Sequence, residues 1–220
     1  MSKRARDPTP SELPLPDALE RALAEARDEE RARGPDAALR VLEAAPEALA
    51  CFGSFQYARG ALLVRIGQLD EGIAALEEAC ALEPEVPEVA SNLGAALLSR
   101  AQAGGPEGLS SEAAQRDLER ALEVLEAAAR QAPKLADVYA NLGRALTLKG
   151  QLPAALLAFD RGLALDEAHV PTLYNKAAAL HALGDDESSL ACLEGILAVA
   201  PGFAPARESR ERALRRLGRI

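Results

Sequence analysis

The chain has 220 residues, a formal net charge of −9, 3% aromatic residues and no tryptophan. An alanine- and leucine-rich, aromatic-poor composition suits a helical array and argues against a sandwich or barrel. The charge is uneven: residues 1–10 carry +2 and 204–220 carry +4, which leaves −15 on 11–203, a body that repels nucleic acid and anionic membrane. Arginine greatly outnumbers lysine, the usage of a GC-rich bacterial genome.

Residues 1–16 contain Pro8, Pro10, Pro14 and Pro16 without periodicity and read as a disordered, proline-rich arm. A helix is expected from Asp17, a good N-cap, to about Arg33, where Gly34-Pro35-Asp36 breaks it. A short helix over 36–45 then ends before Pro46. The charge run Arg27-Asp28-Glu29-Glu30-Arg31 gives the pair over 17–46 the polar outer face of an end cap. The next helix is expected to run unbroken from Pro46 to Ile66.

From residue 53 one pattern repeats. In 136–169, numbered 1 to 34, Tyr139 stands at 4, Leu142-Gly143 at 7–8, Leu146 at 11, Gly150 at 15, Ala155 at 20, Phe159 at 24 and Gly162 at 27. Apolar residues at three- and four-residue steps predict helices over 136–149 and 153–165. Gly150 accepts the left-handed conformation that stops the first helix, and Pro153 fits the first turn of the second. The small residues at 8, 20 and 27 allow helices to cross closely. The same frame holds in 53–86, with Gly60, Leu63, Gly67, Gly72, Leu76 and Pro84, and in 170–203, with Asn175, Ala177, Leu180, Gly184, Leu193 and Pro201. Unit 87–135 agrees if 15 residues are inserted between Leu97 and Leu118. Its Ala103-Gly104-Gly105-Pro106-Glu107-Gly108 stretch predicts a loop. Ser110 or Ser111 caps one helix over 112–130, about five turns long. Residues 204–218 form a last, arginine-rich helix that covers the final unit.

Four units in one frame resemble the tetratricopeptide repeat (TPR) family over about 53–203. The resemblance implies an all-α, right-handed superhelical solenoid of antiparallel helix pairs with a C-terminal capping helix. It also implies a concave groove lined by the first helices, with positions 2, 5, 6, 9, 12 and 13 facing it. Position 6 carries Asn92, Asn141 and Asn175. An amide offers both a donor and an acceptor, so such a ladder can pair with the main chain of an extended peptide, as in the TPR part of O-linked N-acetylglucosamine transferases. Tyr57 and Tyr174 at 5, Arg144 at 9, His181 at 12, Arg65 at 13 and Arg212 from the cap complete the expected binding set. This lining is modestly cationic and partly aromatic, and it suits an extended or acidic segment. The dicarboxylate clamp of chaperone-tail-binding members is disfavoured, because Tyr57 and Ala61 replace its first Lys and Asn.

No feature points to catalysis. His169 and His181 have no partner at metal-ligand spacing, and no phosphate loop or GxSxG is present. Asp185-Asp186-Glu187 reads as helix N-terminal charge. Cys51, Cys80 and Cys192, odd in number and without CxxC spacing, are expected to be reduced and packed as small apolar residues. No signal peptide and no apolar run near 18 residues is present. The expected protein is a cytoplasmic, cofactor-free, non-catalytic scaffold or adaptor for a protein or peptide, not for nucleic acid or membrane. The alternatives are a self-associating assembly subunit, with homo-oligomers, and a regulatory subunit of an enzyme complex.

Overall fold

The computed structural model describes residues 14–220. The expected arm therefore lies largely outside the described residues, but Leu15 and Pro16 belong to the first helix. The helices are α1 (Leu15–Arg33), α2 (Pro35–Glu43), α3 (Gly53–Arg65), α4 (Leu69–Leu82), α5 (Pro87–Gln102), α6 (Gly105–Gly108), α7 (Glu112–Gln131), α8 (Ala136–Leu148), α9 (Leu152–Leu165), α10 (Val170–Leu183), α11 (Asp186–Val199) and α12 (Ala204–Arg216). No strand occurs among the described residues, and the fold is an all-α solenoid of helix pairs. The chain divides into two compact units, with the boundary between Ala96 and Leu97 inside α5.

In the first unit α1 buries Ala18, Ala22 and Ala26, four residues apart on one face, against Ala38, Leu39 and Leu42 of α2. Asp17 is not the N-cap. That position belongs to Pro14, and Asp17 sits in the first turn, where its charge still suits the helix dipole. The single helix expected from Pro46 to Ile66 is broken. Glu47–Cys51 form a 3₁₀ turn, and Phe52 is extended at φ −94°, ψ 128°. The break sends Leu49 into the core, where it has no exposed surface. The Gln56 amide, itself buried, repairs the interrupted ladder by donating to the Ala50 carbonyl at 3.2 Å and to Glu78 Oε2 at 2.6 Å. At the start of α3, the Ser54 N–H donates to Glu83 Oε1 at 3.0 Å, an anion at a positive helix end.

The repeat positions have the same geometry wherever the residue type returns. The glycines at position 15, Gly67, Gly150, Gly184 and Gly218, have φ of +87°, +74°, +83° and +66°. The residue after each donates back to the leucine at position 11: Gln68 to Leu63, Gln151 to Leu146, Asp185 to Leu180 and Arg219 to Leu214, all at 2.9–3.0 Å. This six-to-one bond closes the helix C-terminus. Position 15 of unit 87–135 is Ala101, and there the first helix does not stop; α5 continues to Gln102. The inserted stretch is not all loop, since 105–108 make one turn of helix, and α7 is capped by Ser111, whose Oγ accepts from Ala114 N–H at 3.2 Å.

Position 8 shows why the small residues are needed. A Cβ on Gly143 would lie 2.3–2.7 Å from the ring of Phe159, which is fully buried with Ala155 and Ala179. Gly60 is held against Leu76, and Gly72 against Val64, in the same way. Cys80 and Cys192 are half-buried, and burial pushes the Cys192 thiol pKa up. Cys51 departs from the expected packing: it is exposed.

Gly143→Ala should lower stability by about 1–3 kcal/mol through overpacking, despite the gain in helix propensity. Gly195→Ala in α11, where nothing lies within 4 Å of the new Cβ, should raise it by up to about 1 kcal/mol. Thermal unfolding followed by circular dichroism checks both signs.

Candidate functional site

The first helices carry the expected binding residues. In the first unit, α1 and α3 enclose a cavity of about 330 Å³, lined by Leu23, Ala26, Glu30, Tyr57, Leu62 and Arg65 among others. The Arg65 guanidinium is paired with the Glu30 carboxylate, so it lines this cavity as half of an ion pair. Asn92 Nδ2 donates to the Tyr57 hydroxyl at 2.7 Å. The amide at position 6 is therefore tied to the tyrosine at position 5 of the preceding repeat, and both remain half-buried.

In the second unit Asn141 and Arg144 are half-buried on α8. Arg144 Nε donates to Gln102 Oε1 at 3.1 Å, and its terminal nitrogen bonds the same oxygen. Burial pushes the guanidinium pKa below its usual value, although arginine stays charged.

A second cavity, of about 160 Å³, opens where α10, α11 and α12 meet. Tyr174, Ala178 and His181 line it from α10, Leu193 from α11, and Ser209 and Arg212 from α12. Three residues of the set that the family resemblance implies, Tyr174, His181 and Arg212, thus share one cavity. Asn175 is half-buried on the same helix. Phe203, which lies ahead of α12, sets the Tyr174 ring edge-on, with centroids 5.6 Å apart.

The cap is fastened at the rim of this cavity by a group that spacing alone assigns to simple helix-end charge. Asp186 is buried, its side chain only 7% exposed. One carboxylate oxygen lies 2.5 Å from His181 Nδ1 and the other 3.0 Å from Arg216 Nε. A carboxylate only accepts, so Nδ1 carries a proton and donates; a terminal nitrogen of Arg216 also lies 3.3 Å from Nε2. His181 is held as a strut between α11 and α12. The adjacent Asp185 takes the capping role: it accepts from the Ser188 N–H at 3.0 Å, and hydrogen bonding to the side chain and then the backbone of Ser188 depresses its pKa. His169 is a junction residue, 2.7 Å from Thr172 Oγ1 and 3.2 Å from Asp137. Among the described residues, no three His, Cys, Asp or Glu side chains are grouped to hold a metal, and no helix is long and apolar enough to cross a membrane.

Residues 54–86 match the tetratricopeptide repeat family. The fold is shared with TTC0263, a thermophilic TPR protein of Thermus thermophilus, at a TM-score of 0.75 and 22% identity over 89% of this chain and 98% of that one. It is shared with MamA of Desulfovibrio magneticus RS-1 at 0.63 and 19%, over 84% and 97% of the two chains. It is also shared with YrrB, a TPR protein with an unusual peptide-binding site, at 0.58 and 18%, over 90% and 98%. No curated protein matches the sequence.

Asp186→Ala removes the shared acceptor of His181 and Arg216. It should destabilise the α11–α12 end by about 1–3 kcal/mol, the range for losing hydrogen bonds to a charged group. Amide hydrogen exchange should quicken in α12 while α3 and α4 keep their protection.

Proposed function

We propose that this tetratricopeptide-repeat protein is a non-catalytic, cytoplasmic interaction scaffold, and that the first-helix face holds an extended peptide or protein segment. One observation carries the reading. The family resemblance implies which residues face a ligand, and three of them, Tyr174, His181 and Arg212, line one cavity between successive first helices. The polar groups on this face suit a main chain more than a particular sequence. Asn92, Asn141 and Asn175 recur at position 6, and each amide offers a donor and an acceptor. A chain in extended conformation exposes the matching groups, and side-chain-sized cavities beside the ladder supply the selectivity. The likeness to YrrB, described as having a peptide-binding site, agrees with this reading by analogy of fold.

A preformed helical face binds through many small contacts, so single substitutions should be mild outside a few hot spots. The combined Asn92→Ala/Asn141→Ala/Asn175→Ala protein should keep its helicity and lose the partner that wild type captures from lysate, read by mass spectrometry as at least a roughly tenfold drop in recovery, equivalent to about 1.4 kcal/mol. Full recovery of the same partner by the triple variant would place binding elsewhere, on the inserted stretch 103–116 or the outer face of the cap.

A further inference from the structure

The arginines of the cap are nearly all committed. Arg207 donates to the Pro201 carbonyl at 2.9 Å. Arg210 pairs with Glu194, Arg215 with Glu211, Arg216 with Asp186 and Arg219 with Glu187. Arg212, like Arg207, has a neutral partner, the Ser209 hydroxyl at 2.8 Å. It is also the cap arginine that lines the 160 Å³ cavity. On α8, Arg144 likewise bonds a neutral group, the amide of Gln102, and it is half-buried. Among the described residues neither guanidinium meets a carboxylate. A guanidinium at a cavity wall or partly out of water, with only neutral partners, gains from an incoming anion, because a charge-assisted bond replaces a weaker neutral one.

Their register agrees. Arg144 and Arg212 both occupy position 9, two repeats apart, and position 9 between them is Ala178, exposed and part of the same cavity wall. Neighbouring helix axes lie about 8–10 Å apart, so two steps span roughly 16–20 Å. An extended peptide rises about 3.3 Å per residue and covers that span in about five or six residues. The cavity is close to the ~150 Å³ that holds one benzene-sized group, so it suits a single side chain. No residue lining it is acidic, and the nearby Asp186 is already shared by His181 and Arg216.

We propose that the first-helix face of the second unit selects an extended peptide with two carboxylates about five or six residues apart, one bound by Arg144 and one by Arg212 in the α10–α12 cavity. This rests on the peptide-binding reading and adds the chemistry and spacing of the ligand. The second carboxylate is either an acidic side chain or the peptide's C-terminus.

The test uses the full chain and fluorescein-labelled, C-terminally amidated peptides of alternating serine and alanine, about a dozen residues long, with two glutamates at varied separation. Fluorescence polarisation should show affinity peaking at a separation of about five or six, roughly tenfold or more above the peptide with both glutamates replaced by glutamine. Arg144→Gln and Arg212→Gln should each reduce binding to that of a one-glutamate peptide, with circular dichroism unchanged. A one-glutamate peptide with a free C-terminus that regains the affinity would assign the second carboxylate to the chain end. A flat dependence on separation, indifference to either arginine substitution, or a preference for oligothymidylate over every peptide would overturn the proposal. Glutamine peptides that bind as tightly as glutamate ones, and are lost with Asn141→Ala/Asn175→Ala, would overturn it while leaving the peptide-binding reading in place. No binding of any peptide at millimolar concentration would count against both.

Discussion

Three helix pairs, α3–α4, α8–α9 and α10–α11, depend on a sharp reversal that an L side chain resists. At position 15 the backbone must enter the left-handed region, so that the next N–H can return to the carbonyl at position 11. Gly67, Gly150, Gly184 and Gly218 all do this with nearly the same φ and the same bond. The reversal delivers the second helix against the first at a fixed offset, and the offset puts Phe159 over the bare α-carbon of Gly143. Turn and packing therefore constrain each other. Where the glycine is missing, at Ala101, the first helix overruns and the connection lengthens into the insertion.

The same geometry produces the candidate site. Second helices fill the hole at position 8 of the first helices, while Tyr57, Asn92, Asn141, Arg144, Tyr174 and Asn175, at positions 5, 6 and 9, stay half-buried. The cap obeys the frame but is held differently. α12 buries little beyond Ala206 and Ala213, so much of its attachment is electrostatic, through the buried Asp186 and the flanking Glu187 and Glu194. One arginine, Arg212, lines the cavity with a neutral partner.

The helix pairs and their turns were legible in the sequence because each repeat reports its own geometry: Gly at 15, Leu at 11 and a small residue at 8 encode local contacts. The break at Phe52 was not legible, because it depends on long-range partners, with Leu49 in the core and Gln56 bonded to Glu78 of α4. Register named Tyr174, His181 and Arg212 as neighbours across helices, yet it missed what holds them. Asp186 looked like ordinary helix-end charge beside Asp185, and only burial separates the two. Gln102 and Glu30, the partners of Arg144 and Arg65, lie on other helices and leave no mark in spacing.

The central claim is that a partner lies along the first helices and not on their outer faces. Site-specific photo-crosslinking tests it most directly, with benzoylphenylalanine placed at Ala178, on the α10–α12 cavity, or at Leu157, 67% exposed on α9. A crosslinked partner peptide is expected from position 178 and none from 157. Crosslinking from 157 with position 178 silent would contradict it and move the interaction surface to the second helices.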